Sequence, residues 1–70
     1  MKVFSSHISA VEYDRSTETL QVLWSRGGTT IYDGVPEEVA RRVLTAPSIG
    51  EALHHNIRGL YHHTTRQRDE

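Results

Sequence analysis

Histidines are the side chains of this 70-residue chain with the widest chemical repertoire, and four of the five lie in its second half. Imidazoles on a helix converge on one metal ion when they are three or four residues apart. His55 and His62 are seven residues apart, which is about 10.5 Å along a helix axis, and adjacent His54 and His55 point about 100° apart. Because the chain also has no cysteine, the sequence predicts no metal site and no cofactor.

Serine hydroxyls are candidate nucleophiles, among them those of Ser5, Ser6, Ser25 and Ser48. None of them lies in a nucleophile elbow or has a general base at a recognisable spacing. The position of Ser48 is instead typical of a helix cap. We therefore predict no catalytic residue and no enzymatic activity.

Arginine and histidine side chains can bind phosphate and stack on unpaired bases. Residues 1–40 contain three basic and six acidic side chains, whereas residues 41–70 contain five basic and three acidic ones. The net charge of −1 is far from that of a dedicated nucleic-acid binder, so we expect weak, salt-dependent RNA binding. The predicted nucleic-acid contacts are Arg41, Arg42, His54, His55, Arg58 and His62.

Three of these six side chains, those of His54, His55 and Arg58, lie on a predicted helix within residues 46–61. Ser48 and Glu51 form the pattern of a capping box, in which each side chain bonds to the other residue's backbone amide. One face of the helix is apolar and is expected to be buried; it consists of Ile49, Ala52, Leu53, Ile57, Leu60 and Tyr61. The opposite face carries Glu51, His54, His55, Arg58 and His62.

Three short runs rich in β-branched and aromatic residues predict strands. They are Val11–Tyr13, Leu20–Trp24 and Thr29–Tyr32. Gly27 and Gly28 can adopt the positive φ angles of a tight reversal, so we expect an antiparallel meander. The period of two places Leu20, Val22 and Trp24 on one face of the sheet.

A first helix is predicted after the strands, with Pro36 at its first position and Glu37 and Glu38 in its first turn. Two amphipathic helices need a sheet face to cover them. The predicted fold is therefore α+β, a three-stranded antiparallel β-meander followed by two α-helices packed on one face (βββαα). The residues expected at the junction are Leu20, Val22, Trp24, Val43, Ile57 and Leu60.

The length predicts a single domain over residues 1–62. Residues 63–70 are polar and aperiodic, so we expect a disordered C-terminal tail. No apolar run approaches the roughly 20 residues of a membrane span, and the first residues do not resemble a signal peptide. We predict a cytoplasmic protein with no membrane association.

Taken together, these features resemble the KTSC domain, a small family named for its occurrence at the C-terminus of some lysyl-tRNA synthetases. The residues that carry the resemblance are Ser5, Ser6, Ile8, Val11, Tyr13, Asp14, Leu20, Val22, Trp24, Gly28, Tyr32, Val35, Pro36, Ala46, Ser48, Gly50, Ile57, Arg58 and Tyr61. The chain departs from the family pattern at Thr30 and near Ala52, where the family tends to have aromatic residues.

The resemblance implies an appended RNA-contacting or docking element and no catalysis. We therefore predict a small non-catalytic binding module that contacts RNA or serves a nucleic-acid-processing complex. The alternative is a protein adaptor or regulator that uses the outer face of the sheet. Leu23 and Ile31 are the predicted interface residues there, and a contribution from Ile8 or Ala10 would make the patch contiguous. The oligomeric state and a cellular or phage origin are left open.

Overall fold

The computed structural model describes residues 7–66 of the chain. Its elements are β1 (Ile8–Asp14), β2 (Thr19–Trp24), β3 (Thr29–Tyr32), α1 (Glu37–Leu44), α2 (Ile49–Asn56) and β4 (His63–Arg66). The sheet has the order β1-β2-β3-β4, and all neighbouring strands are antiparallel. The predicted α+β class is confirmed, but the prediction of three strands is wrong because the described segment contains four.

The first three strands form the meander that the sequence predicts. Gly27 and Gly28 have φ angles of 94° and 96°, so the reversal between β2 and β3 uses the left-handed conformations that glycine adopts without a steric cost. Leu20 and Val22 are fully buried, whereas Gln21 is exposed. The predicted alternation of the two sheet faces is therefore confirmed.

The fourth strand lies in the segment predicted to be a disordered tail. Residues 63–66 pair with β3, with Thr65 opposite Thr30 and His63 opposite Tyr32. All four residues of β4 are exposed, so no burial pattern marks them in the sequence. Their backbone groups are instead satisfied by the edge of β3. The tail prediction is wrong for residues 63–66, and residues 67–70 lie outside the described part.

Helix α1 begins one residue later than predicted. Pro36 has φ −64° and ψ 151° and occupies the N-cap position. Its carbonyl oxygen accepts hydrogen bonds from the amides of Val39 and Ala40. Ala40 and Val43 are buried, and they direct the apolar side of α1 toward the core.

Helix α2 begins where the sequence predicts and ends early. The Ser48 hydroxyl accepts a hydrogen bond from the Glu51 amide at 3.4 Å. Within residues 7–66 the reciprocal bond of the capping box is not formed, since the Glu51 side chain is exposed and extends into solvent. At the other end the Arg58 amide bonds to the Leu53 carbonyl, and Gly59 has a φ of 82°, which turns the chain away from the helix axis.

This early end corrects the predicted apolar face of α2. Ile57 is fully buried, but Leu60 is 66% exposed, so the prediction that Leu60 packs between helix and sheet is wrong. Leu60 lies beyond the last helical turn, and the helical spacing no longer applies to it. The core is formed by Ile8, Val11, Leu20, Val22, Tyr32, Val35, Ala40, Val43, Ala52, Leu53 and Ile57, with Trp24 packed against it.

Each helix of the described segment has eight residues, and neither has the length and apolar character that crossing a membrane requires.

Candidate functional site

A cleft of about 470 Å³ lies between α2 and the inner face of strands β3 and β4. Thr30 and Tyr32 of β3 form its floor together with His63 and Thr65 of β4. Helix α2 contributes a wall of three residues that follow the helical repeat, namely Gly50, Leu53 and His54. The volume is within the range of about 300–1,000 Å³ that ligand sites occupy.

A chain of hydrogen bonds joins three side chains at one end of the cleft. The indole Nε1 of Trp24 donates to the hydroxyl oxygen of Thr30 at 2.8 Å. The hydroxyl groups of Thr30 and Thr65 are 3.3 Å apart and share a further hydrogen bond. Thr30 is buried and Thr65 is exposed, so the chain runs from the half-buried indole to a hydroxyl that reaches solvent.

Two aromatic rings lie at the opposite end. The rings of Tyr32 and His63 are 5.6 Å apart and inclined by 46°, a separation typical of an aromatic pair. Burial raises the pKa of Tyr32, and the positive charge of Arg58 lowers it in part. Within residues 7–66 the Tyr32 hydroxyl has no hydrogen-bond partner, which leaves it able to bond to a ligand.

Arg58 is the residue of the cleft that carries a permanent positive charge. Its side chain is exposed, and among residues 7–66 no carboxylate lies within ion-pair distance of it. Imidazoles of His7, His54 and His63 also line the cleft, whereas no aspartate or glutamate of the described segment does. The cleft is therefore complementary to an anion.

The structure divides the predicted nucleic-acid contacts into two groups. His54 and Arg58 line the cleft. The ring centroids of His54 and His55 are 5.3 Å apart in an edge-on arrangement, but His55 does not line the cleft. The imidazole Nδ1 of His62 lies 3.2 Å from the Asp33 carboxylate.

The two predicted contacts on α1 are in ion pairs within their own helix. Arg41 lies 3.7 Å from Glu37, and Arg42 lies 3.1 Å from Glu38. Both pairs have the i, i+4 spacing that is favourable on a helix surface, and neither arginine lines the cleft. Their role in nucleic-acid contact stays a prediction, as does that of His55 and His62.

The predicted protein interface lies on the outer face of the sheet. Ala10 is opposite Leu23 across β1 and β2, whereas Ile31 is opposite Gln21 and lies diagonally from Leu23. Ala10, Leu23 and Ile31 are all half-buried, and Ile8 is buried on the opposite face. The apolar patch is therefore small, and a protein partner stays a prediction.

Sequence reasoning missed Trp24, His63 and Thr65 as site residues, and it considered Tyr32 as an RNA contact only if its ring were exposed, whereas Tyr32 is buried. The strand period did place Trp24 on the core side, and by the same period it could have placed Tyr32 there. His63 and Thr65 could not be assigned because β4 was not recognised. Among residues 7–66 no group of three or more metal-ligating side chains comes together, and the absence of a cofactor remains a prediction.

A model of the KTSC domain matches residues 4–61 of the chain. The chain belongs to the KTSC domain family. A crystal structure of a KTSC domain protein from Yersinia pestis is similar to it, with a TM-score of 0.81 and 28% sequence identity. The match covers 99% of this chain and 94% of the Yersinia chain. A search of curated proteins found no match.

In this KTSC domain, one of the two departures from the family pattern lies on the floor of the cleft. Thr30 has a small side chain there and accepts the hydrogen bond of the Trp24 indole. Ala52, near which the resemblance implies the other departure, is buried on the core side of α2.

Proposed function

We propose that this KTSC domain is a non-catalytic binding module that contacts single-stranded RNA through the cleft beside α2. The observation that carries the proposal is an exposed Arg58 with no carboxylate partner in the described segment, at a cleft that Trp24 and Tyr32 also line. Unpaired bases stack on aromatic side chains, and arginine binds the adjacent phosphate. Both kinds of group are present within one cleft.

The remaining groups of the cleft support binding and not bond cleavage. The hydroxyl of Thr30 is engaged by the Trp24 indole and the Thr65 hydroxyl. A hydroxyl nucleophile requires a general base in hydrogen-bond contact with it, and within residues 7–66 neither the Thr30 nor the Thr65 hydroxyl is hydrogen-bonded to an imidazole. The proposal therefore assigns no reacting group to the cleft.

The charge of the cleft predicts modest affinity. Arg58 is its permanent cation, and the histidines gain positive charge only as the pH falls. For single-stranded nucleic acid each neutralised phosphate contributes about −0.7 to the slope of log K against log salt concentration. With one permanent cation, a rise in salt concentration from about 50 to about 200 mM is expected to weaken binding about 2.5-fold.

Fluorescence titration of the single tryptophan with a short single-stranded RNA tests the proposal. Arg58→Ala is expected to weaken binding and to reduce the salt slope by about 0.7. The matched control is Arg15→Ala, which removes the same charge from a position outside the cleft and is expected to leave binding unchanged. No RNA binding at low salt, or an equal effect of the two substitutions, would overturn the proposal.

A further inference from the structure

The cleft has two chemically different ends, and the pairing of β3 with β4 shows which residues lie at each end. Thr30 is opposite Thr65 at one end, and Tyr32 is opposite His63 at the other. Positions two residues apart along a strand are separated by about 7 Å. The ends are therefore close enough for one small ligand to contact both.

One end is neutral. Trp24 uses its only polar hydrogen in the bond to Thr30, so its edge has a fixed orientation and its ring offers an apolar surface. The Thr65 hydroxyl is exposed, and a hydroxyl can both donate and accept a hydrogen bond. A planar group that carries donors and acceptors along its edge is complementary to this end.

The other end is cationic. Arg58 is close enough to Tyr32 to lower the pKa of its phenol, and His63 packs against the same ring. The hydroxyl of Tyr32 and the guanidinium of Arg58 are both donors, and neither has a protein acceptor in the described segment. A phosphate would supply acceptors for both groups.

We infer that the cleft holds one unstacked nucleotide, with its base at the Trp24–Thr65 end and its phosphate at the Tyr32–Arg58 end. The inference rests on the proposed function and adds the ligand unit and its direction. A volume of about 470 Å³ corresponds to one small ligand and not to an extended strand. Flanking nucleotides of an RNA would lie outside the cleft.

The test compares adenosine 5′-monophosphate with adenosine and with inorganic phosphate, at low salt and with Trp24 fluorescence as readout. The monophosphate is expected to bind at least tenfold more tightly than adenosine, because its charged phosphate can accept hydrogen bonds from Tyr32 and Arg58 that adenosine leaves unmade. Arg58→Ala is expected to abolish that difference. Thr65→Val is expected to weaken the binding of adenosine and that of the monophosphate by the same factor.

A variant that fills the cleft gives a second test. A Cβ added at Gly50 meets no atom within 4 Å, and Gly50 lines the cleft. Gly50→Leu is therefore expected to fold and to reduce monophosphate binding at least tenfold, whereas the smaller Gly50→Ala is expected to retain most of it. Equal binding by both variants would contradict the assigned location.

The outcomes separate this inference from the proposed function. RNA that binds in an Arg58-dependent way while the monophosphate leaves Trp24 fluorescence unchanged would overturn the one-nucleotide site alone. Inorganic phosphate that binds as tightly as the monophosphate would overturn the base position. Failure of both RNA and the monophosphate to bind would overturn both proposals.

Discussion

The indole Nε1 of Trp24 donates a 2.8 Å hydrogen bond to the hydroxyl oxygen of Thr30, which lies on the neighbouring strand of the sheet. Thr30 is 5% exposed, and among the described residues it is the polar one that is buried. A buried hydroxyl is tolerated when it is hydrogen-bonded. This bond therefore stabilises the sheet and also fixes the positions of two side chains that line the cleft.

Replacement of Thr30 by valine removes the acceptor of the Trp24 indole while it keeps a similar volume. A donor left without a partner costs about 1–3 kcal/mol, and we expect a decrease of that size in the free energy of unfolding. Urea denaturation followed by Trp24 fluorescence measures it. Thr64→Val is the control, because Thr64 is exposed on β4 and is not part of this chain of hydrogen bonds, and a loss as large in the control would contradict this account.

Ile57 and Leu60 share the apolar face in the sequence pattern but not in the structure. Ile57 is fully buried and Leu60 is 66% exposed. We expect Ile57→Ala to destabilise the domain by about 2–5 kcal/mol and Leu60→Ala to change stability by no more than about 0.5 kcal/mol. Thermal and chemical unfolding of the two variants check this, and similar losses would show that Leu60 packs in the core.

Gly50 lies in the first turn of α2, and a Cβ there meets open space. Alanine has a higher helix propensity than glycine by about 0.5–1 kcal/mol. Gly50→Ala is therefore expected to raise the free energy of unfolding by up to that amount. A lower stability of this variant would mean that the backbone at Gly50 is not helical.

Two tyrosines are expected to titrate above the ordinary value of 10.0. Desolvation is the largest cause for both Tyr13 and Tyr32, and for Tyr13 the carboxylates of Glu18, Glu37 and Asp14 add to it. A pKa that is higher in the folded state makes a stabilising contribution below pH 10, which is lost as the pH rises through the folded-state pKa. Tyrosinate absorbance, assigned with Tyr13→Phe and Tyr32→Phe, measures both transitions.

Arg58 provides a specific check on the Tyr32 titration. Its positive charge favours the phenolate and lowers the pKa of Tyr32. Arg58→Ala is expected to raise the pKa of Tyr32 further and to leave that of Tyr13 unchanged. An unchanged Tyr32 titration would place the guanidinium away from the phenol.

Sequence reasoning named two of the eleven residues that line the cleft. His54 and Arg58 were found because the polar face of α2 could be traced from its cap at Ser48. Trp24 was expected to pack between sheet and helices, and its contact with Thr30 could not be foreseen because it depends on the register between β2 and β3. Arg41 and Arg42 have the same charge as Arg58 and were predicted as contacts for that reason. In the structure each of them is in an ion pair with a glutamate one helical turn earlier, Arg41 with Glu37 and Arg42 with Glu38.

The amino-acid sequence by itself determined the first three strands, the start of α2 and the sheet face that Leu20 and Val22 bury. These features follow from periodicity, turn glycines and capping, which act between residues close together in the chain. Only the tertiary structure decided that His63–Arg66 is a strand, that Leu60 faces solvent, and that β4 and α2 enclose a cleft. An exposed edge strand is stabilised by hydrogen bonds to the backbone of its neighbour and not by burial of its own side chains. Here the neighbour is β3, and the chain reaches it only after both helices have returned residues 63–66 to the edge of the sheet.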